Sequence, residues 1–184
     1  MSNKIKQKKG SRRNLAFQLI TGIVFISIII FFVFSNFKNN DNNSMNDSEI
    51  KTRSAFEFKK QGELTFTSSD QKFLAKIDVE IAENDDTRSQ GLMYRYKMNE
   101  NQGMLFLFPE ETYQSFWMRN TVLPLDIIFV NKQNKIVKIH KNAVPYDESS
   151  YPSGASAIYV VEVNAGYSDK FNINEGDFIT WRRM

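Results

Sequence analysis

The chain has a long apolar run near its N-terminus that contains no charged residue. Residues 15–34 are twenty residues long, and fifteen of them are Leu, Ile, Val or Phe. At a helical rise of about 1.5 Å per residue, such a run spans roughly the 30 Å hydrocarbon core of a bilayer. A cleaved signal usually has a shorter apolar region followed by small residues, and residues 33–37 lack that small-residue pattern. The pattern therefore predicts a retained transmembrane helix.

The polarity changes abruptly after this run. Residues 35–54 are rich in Asn, Ser and Asp and have almost no apolar side chains to bury. Segments of this composition do not form a packed core and behave as coils. We predict a flexible linker here, between the helix and a folded domain at residues 55–184.

The domain shows the period-two alternation of strands rather than the period of helices. Residues 73–81 alternate apolar with charged positions over most of their length. Polar residues at 131–134 and 175–177 predict turns. The fold class predicted is mostly β, a compact antiparallel barrel-like or sandwich-like domain with one short helix. Further strands are predicted at residues 103–108, 115–119, 125–130, 136–140, 157–163 and 177–181.

The single predicted helix lies near residue 87. Thr87 and Gln90 have the spacing of a capping box, and Leu92 with Tyr96 form an apolar pair four residues apart. Gly91 costs about 1 kcal/mol relative to Ala inside a helix. Its presence indicates that another group approaches the backbone closely at this point.

The charge distribution predicts the topology. Six basic residues and no acidic ones lie within residues 1–14, which makes this segment a cytoplasmic stub and places the domain outside the cytoplasm. Removing these six from the 24 basic residues leaves 18 against 21 acidic residues, a formal charge of −3. That balance argues against nucleic acid as a partner. The chain has no cysteine, which excludes disulfides, zinc-thiolate sites, thiol nucleophiles and a lipid anchor on cysteine.

Two arginines on the predicted helix are candidates for ligand binding. Arg88, Gly91 and Arg95 have positions i, i+3 and i+7, which would place two guanidinium groups on one helical stripe with a notch between them. This arrangement could bind a carboxylate or phosphate. Alternatively, one arginine pairs with a buried acid and only fixes the helix, while the other is solvated.

Asp126 is the acidic residue that the strand pattern places most unusually. Alternation puts it on the same face as Ile128 and Val130, where a lone carboxylate would be costly. We therefore expect a guanidinium contact from Arg88 or Arg119. Such a pair would be structural if enclosed and a candidate functional site if it is open to a cleft.

The segment 116–121 contains side chains suited to recognition. In a strand, Trp117 and Arg119 would share one face, and Asn120 would lie on the other. An exposed Trp–Arg face could bind sugar rings or polar ligands by stacking and hydrogen bonding, whereas a buried Trp would belong to the core. Both alternatives remain open.

No metal or cofactor site is predicted. Met93, Met104 and Met118 could be ligands of copper(I), but methionine is also a common core residue and these three are scattered. His140 is the only histidine, too few for a His-rich metal site. Glycine-rich phosphate loops and nucleophile elbows are absent from the sequence.

Several segments together resemble the DUF192 (UPF0127) family. The resemblance covers residues 72–179 and implies an exported or membrane-anchored protein with a largely antiparallel β fold and a short helix. Arg119 stands where relatives commonly have Lys, which keeps the charge. The resemblance implies no particular reaction. The segments that carry it are 88–95 (RSQGLMYR), 103–108 (GMLFLF), 116–121 (FWMRNT), 124–127 (PLDI), 162–166 (EVNAG) and 176–177 (GD).

These observations lead to three functional hypotheses. The leading one is a single-pass, membrane-tethered binding module whose extracytoplasmic domain binds a polar or anionic envelope ligand, such as a glycan or an anionic metabolite. The alternatives are a hydrolase-like enzyme that uses Asp126 with assistance from an arginine, and an envelope assembly partner. The candidate ligand-binding residues are Arg88, Arg95, Trp117, Arg119, Asn120 and Asp126.

Overall fold

The computed structural model describes residue 31 and residues 57–184. The predicted cytoplasmic stub, transmembrane helix and linker lie outside the described residues, apart from that one position. Among the helices of the described part, none combines the length and apolar character needed to cross a bilayer.

The alternating segments of the described domain form seven strands in a single sheet. The strand order across the sheet is β5-β4-β6-β3-β2-β1-β7. All neighbours are antiparallel except β2 and β3, which run parallel. The strands are β1 (Gly62–Thr67), β2 (Phe73–Ala82), β3 (Gln102–Phe116), β4 (Leu125–Val130), β5 (Ile136–Ala143), β6 (Tyr151–Asn164) and β7 (Phe178–Arg183).

The sheet is curled into a half-barrel because its two edge strands meet at one end. Lys135, just before β5, forms an isolated bridge with Phe178 at the start of β7. The Ile136 N–H donates to the Asp177 carbonyl at 2.8 Å, and the Ile179 N–H donates to the Asn134 carbonyl at 2.9 Å. These contacts pair part of the backbone that an open sheet would leave exposed at its edges.

Each face of the sheet carries a hydrophobic core. The first core is formed mainly by β1, β2 and β7 with one face of the central strands, and includes Ile128, Val130 and Val161. The second core lies on the opposite face of β3, β4 and β6, where Leu92 and Met118 from the connecting segments pack over it. Because β4 and residues 160–163 of β6 are buried throughout, neither face of these segments is free for solvated side chains.

Two short helices, α1 (Asp85–Gln90) and α2 (Tyr167–Lys170), occur in the described residues. The side chain of Asn84 caps α1 by accepting from the Thr87 N–H at 2.9 Å, while the Thr87 hydroxyl oxygen accepts from the Asn84 N–H at 3.1 Å. The predicted capping box from Thr87 to Gln90 is therefore wrong, since Thr87 is the third helical residue of a box that begins earlier. The prediction did not include α2.

Gly91 ends α1 instead of lying within it. Its φ of 47° and ψ of −134° belong to a region that other residues rarely adopt. A Cβ at this position would lie 3.2 Å from the Phe106 ring, which confirms the predicted close approach. The predicted apolar pair of Leu92 and Tyr96 is wrong, because the helix has already ended: Leu92 is buried and Tyr96 is 78% exposed.

Candidate functional site

A cleft of about 370 Å³ opens on the face of the sheet that carries the second core. It lies between α1 with the residues that follow it and the end of β3. Clefts of roughly 300–1,000 Å³ are the usual size of small-molecule sites. The cleft therefore has room for a small ligand.

Aromatic rings form much of the cleft lining. Phe116 packs edge-on against Phe106 at a centroid distance of 5.0 Å and against Phe108 at 6.3 Å. Trp117 follows directly and is 52% exposed, so that its ring remains accessible to solvent or ligand. The interlocked rings give the cleft a rigid apolar side, and Trp117 gives it an open aromatic surface.

Glu162 lies at the floor of the cleft, on the central strand β6. It is paired in register with Met104 of β3 and Ile127 of β4, which contribute only apolar side chains. The residue is 5% exposed, and no hydrogen-bond donor or cation among the described residues contacts its carboxyl group. Burial raises its pKa from 4.5 to about 8.

Arg88 lines the cleft from α1, but most of its guanidinium group is already engaged. Nη1 donates to the carbonyl oxygens of Glu83 at 2.6 Å and Leu107 at 2.9 Å, and Nη2 donates to the carboxylate of Asp85 at 2.5 Å. The guanidinium carbon also lies 5.4 Å from the centre of the Phe108 ring. Arg88 thus ties α1 to β3 and shapes the cleft.

Arg95 does not share the cleft with Arg88. Its Nη2 donates to the Glu80 carboxylate at 2.5 Å, and both side chains are largely buried. The other Glu80 oxygen accepts from the Lys59 N–H at 2.9 Å. The predicted helical stripe of two arginines is wrong because α1 ends before Arg95, and the alternative of a buried structural pair describes Arg95 correctly.

The residues after Trp117 leave the strand, since β3 ends at Phe116. Arg119 lies outside the cleft lining, with its guanidinium carbon 5.9 Å from the centre of the Trp117 ring. Asn120 adopts a φ of 54°, and its carbonyl accepts from the Tyr94 N–H at 2.9 Å. The predicted strand through residue 119 is therefore wrong, although Trp117 and Arg119 remain neighbours.

Asp126 is fully buried on the face that carries the first core, away from the cleft. Its carboxylate accepts from three backbone N–H groups, those of Asn142 at 2.9 Å, Gly166 at 3.1 Å and Ser168 at 2.8 Å. The predicted contact with Arg88 or Arg119 is wrong, because backbone donors at the start of α2 and from β5 satisfy the charge. The face predicted for Asp126 agrees with the structure.

Sequence reasoning missed Glu162 as a site residue, together with Thr121, which is buried and also lines the cleft. A signal existed in the run Val160-Val161-Glu162-Val163, where an acid interrupts a valine-rich strand. Such an acid is costly to bury and thus indicates either a partner or a function.

Within the part of the chain that the structure describes, no group of three or more His, Cys, Asp or Glu could hold a metal ion. Of the methionines considered for copper, Met104 and Met118 belong to the second core.

Comparison with known proteins identifies relatives of the domain. The DUF192 family, described as "Uncharacterized ACR", matches residues 65–181. A Sinorhizobium meliloti protein described as a "putative transcription regulator" is 35% identical, with a TM-score of 0.64 over 68% of this chain and 97% of that one. A Novosphingobium aromaticivorans protein of unknown function is 36% identical, with a TM-score of 0.61 over 65% of this chain and 84% of that one. None of the curated proteins matches the chain.

Proposed function

The chain belongs to the DUF192 family, and from the chemistry of its cleft we propose that it is a binding module for a small polar molecule that carries a ring. The observation that carries this proposal is the combination of aromatic walls, an accessible Trp117 and a buried, unpaired Glu162 in one cleft. Small-molecule sites typically combine an apolar lining with a few polar groups that orient the ligand.

The polarity of the cleft refines the expected ligand. Arg88 is engaged with two carbonyls and Asp85, and Arg95 is bound to Glu80, so neither offers a free guanidinium group to an anion. Glu162 at the floor would repel a negative charge once ionised. We therefore favour a neutral or cationic polar ligand, such as a glycan unit, over an anionic metabolite.

Hydrolysis through Asp126 has less support. Its carboxylate is enclosed by three backbone N–H donors and does not line the cleft. A general base must come within hydrogen-bonding reach of the proton that it removes. We place Asp126 in the scaffold, where it joins β4 to β5 and to the start of α2.

Membrane attachment is part of the proposal. The apolar run at residues 15–34 is long enough to span a bilayer, and the basic segment before it favours a cytoplasmic N-terminus. The domain would then bind its ligand outside the cytoplasm. A role in transcription, which the name of the S. meliloti protein indicates for that protein, fits poorly with the formal charge of −3 outside the basic segment.

The proposal is tested by thermal unfolding of the full-length chain in the presence of neutral sugars, amino sugars and aromatic amino acids at millimolar concentration. We expect at least one class to raise the unfolding temperature of the wild type, and Trp117→Ala to reduce that shift. Trp181→Ala serves as the matched control, because Trp181 lies in β7 and does not line the cleft. Absence of any shift across the panel, or equal loss in both variants, would contradict the proposal.

A further inference from the structure

We propose that the ligand of this cleft carries a protonated amine, and that Glu162 binds this amine as an ion pair. The inference rests on the proposed function and specifies its ligand class. Its starting point is geometric: a carboxyl group at the floor of an accessible cleft has no donor and no cation in contact among the described residues. Buried acids are normally hydrogen-bonded or paired, so the ligand is the natural source of the missing partner.

The elements around Glu162 supply no competing cation. From α1, Arg88 lines the cleft together with Asp85, and these two residues are bound to each other at 2.5 Å. On the neighbouring strands, Met104 and Ile127 occupy the register positions beside Glu162. Among these neighbours there is no free cation for Glu162, so its counterion would have to belong to a ligand.

More distant charges are also occupied. Arg95 is bound to Glu80 of β2, and Glu80 is paired in register with Met104 of β3. Arg119 lies outside the cleft lining, with its Nε 3.9 Å from a Glu148 oxygen. Neither arginine can therefore supply the counterion of Glu162 without breaking an existing contact.

The cleft walls favour an ammonium group over other donors. Aromatic rings attract cations through the negative potential of their faces. Four rings line this cleft, those of Phe106, Phe108, Phe116 and Trp117. Phe108 already has the guanidinium group of Arg88 over one face, and Trp117 has that of Arg119, so a ligand cation would contact the remaining faces. A neutral hydroxyl gains little from these rings and could form only an ordinary hydrogen bond with the carboxyl group. An ammonium group gains both the ring contact and a charge-assisted hydrogen bond to ionised Glu162.

The experiment compares two probes of similar shape, cyclohexylammonium and cyclohexanol, by calorimetric titration of the full-length chain. We expect the wild type to bind cyclohexylammonium at least about tenfold more tightly than cyclohexanol, as a charge-assisted contact predicts. The affinity for the amine should rise between pH 6 and 8, because Glu162 must lose its proton to form the pair, while the affinity for the alcohol should stay constant.

Two variants separate Glu162 from other acids. Glu162→Gln should abolish the preference for the amine and its pH dependence, whereas Glu110→Gln, a change of an exposed acid of β3 outside the cleft lining, should preserve both. The comparison of the two probes in the wild type does not depend on how well either variant folds.

Each outcome has a defined meaning. Equal affinity for the two probes, binding of the alcohol alone, or a preference for the amine that survives in Glu162→Gln would overturn the inference. If neutral sugars of the earlier panel stabilise the chain but no amine is preferred, the amine inference fails and the proposed binding function stands. If nothing in that panel binds and neither probe binds, both fail.

Discussion

Two buried acids on adjacent strands have opposite surroundings. Asp126 on β4 is paired in register with Val163, the residue after Glu162 on β6, so the two acids are close along the sheet but point to opposite faces. Asp126 receives three backbone hydrogen bonds, and Glu162 receives none from the described residues. The first arrangement stabilises a charge in the fold, and the second keeps a carboxyl group neutral until a partner arrives.

Replacing Asp126 tests its structural role. We expect Asp126→Asn to lower the free energy of unfolding by about 2–4 kcal/mol, because the amide cannot satisfy three backbone donors that a carboxylate accepts. Ser168→Ala is the control, since the buried Ser168 hydroxyl has no hydrogen-bond partner among the described residues and should be lost at little cost. Urea denaturation measures both. An unchanged stability in Asp126→Asn would contradict the assignment.

Glu162 makes stability depend on pH. Its folded pKa of about 8 lies above the ordinary value of 4.5. Between pH 4.5 and 8, Glu162 is therefore protonated in the folded chain and ionised in the unfolded chain. The contribution of Glu162 to stability is therefore greatest below pH 4.5 and declines by about 1.4 kcal/mol per pH unit until the pH passes through 8.

Glu162→Gln should remove this component. Denaturation of the wild type and the variant between pH 5 and 9 measures the difference in their free energies of unfolding. We expect that difference to shift in favour of the variant as the pH rises. Parallel pH profiles for the two proteins would show that Glu162 titrates normally.

At the residue scale, the sequence indicates where a side chain points better than what it contacts. Alternation alone places Asp126 on the face of Ile128 and Val130, and the structure agrees. Its partners are backbone N–H groups, which every residue carries and no sequence pattern singles out. Glu162 was not predicted as a site residue, because the sequence does not show that this acid faces a cleft. Its position at the cleft depends on the segments that cover the sheet.

At the scale of elements, α1 and the residues after it determine the shape of the cleft. Asn84 and Thr87 fix where the helix begins, and Gly91 ends it and turns the chain over Phe106. Leu92 then packs into the second core. A chain that continued as a helix could not follow this course, which is why the predicted helical stripe fails.

Gly91→Ala tests this element. We expect it to lower the free energy of unfolding by about 2–4 kcal/mol, from the disfavoured backbone conformation and from the contact of 3.2 Å with Phe106. Gly166→Ala is the comparison: Gly166 has the left-handed φ of 81° and ψ of −1°, which is less unfavourable for Ala than the Gly91 conformation, and no atom lies within 4 Å of its added Cβ, so we expect a loss of only about 1–2 kcal/mol. Equal losses in the two variants would show that the contact with Phe106 does not matter.

The strands show which patterns can be read from sequence. β4 was predicted with its observed bounds, because a run of apolar residues ends at a polar turn. β1 was missed, although Leu64 and Phe66 alternate with polar residues, since these are the only two large apolar side chains in the strand. β3 was predicted as two strands, because its middle passes through Pro109 and two acids where the register with β6 shifts.

At the scale of the whole molecule, the family match and the half-barrel describe the domain, and the N-terminal run adds the proposed anchor. The half-barrel itself was not predicted in detail, because strand order and the parallel pair of β2 and β3 depend on contacts distant in sequence. The transmembrane proposal rests on hydrophobic partition alone, which acts independently of the domain fold.

Fractionation tests the anchor. We expect the full-length chain to remain in the membrane pellet after carbonate extraction, and a variant that lacks residues 1–34 to appear in the supernatant. Protease added outside intact spheroplasts should degrade the domain of the full-length chain. Release of the full-length chain by carbonate, or protection of its domain, would contradict the proposed topology.

Crosslinking of the anchored chain in cells then distinguishes an assembly partner from a module that binds only small molecules.

The most direct test of the account is to titrate the Glu162 carboxyl group itself. Carbon-13 NMR of the full-length chain labelled at the glutamate carboxyl, with Glu162→Gln to assign the signal, reports its ionisation. We predict a pKa near 8 in the free protein, lowered when cyclohexylammonium is added and unchanged by cyclohexanol. A Glu162 signal that titrates near its ordinary 4.5, or that does not respond to the amine, would contradict the account.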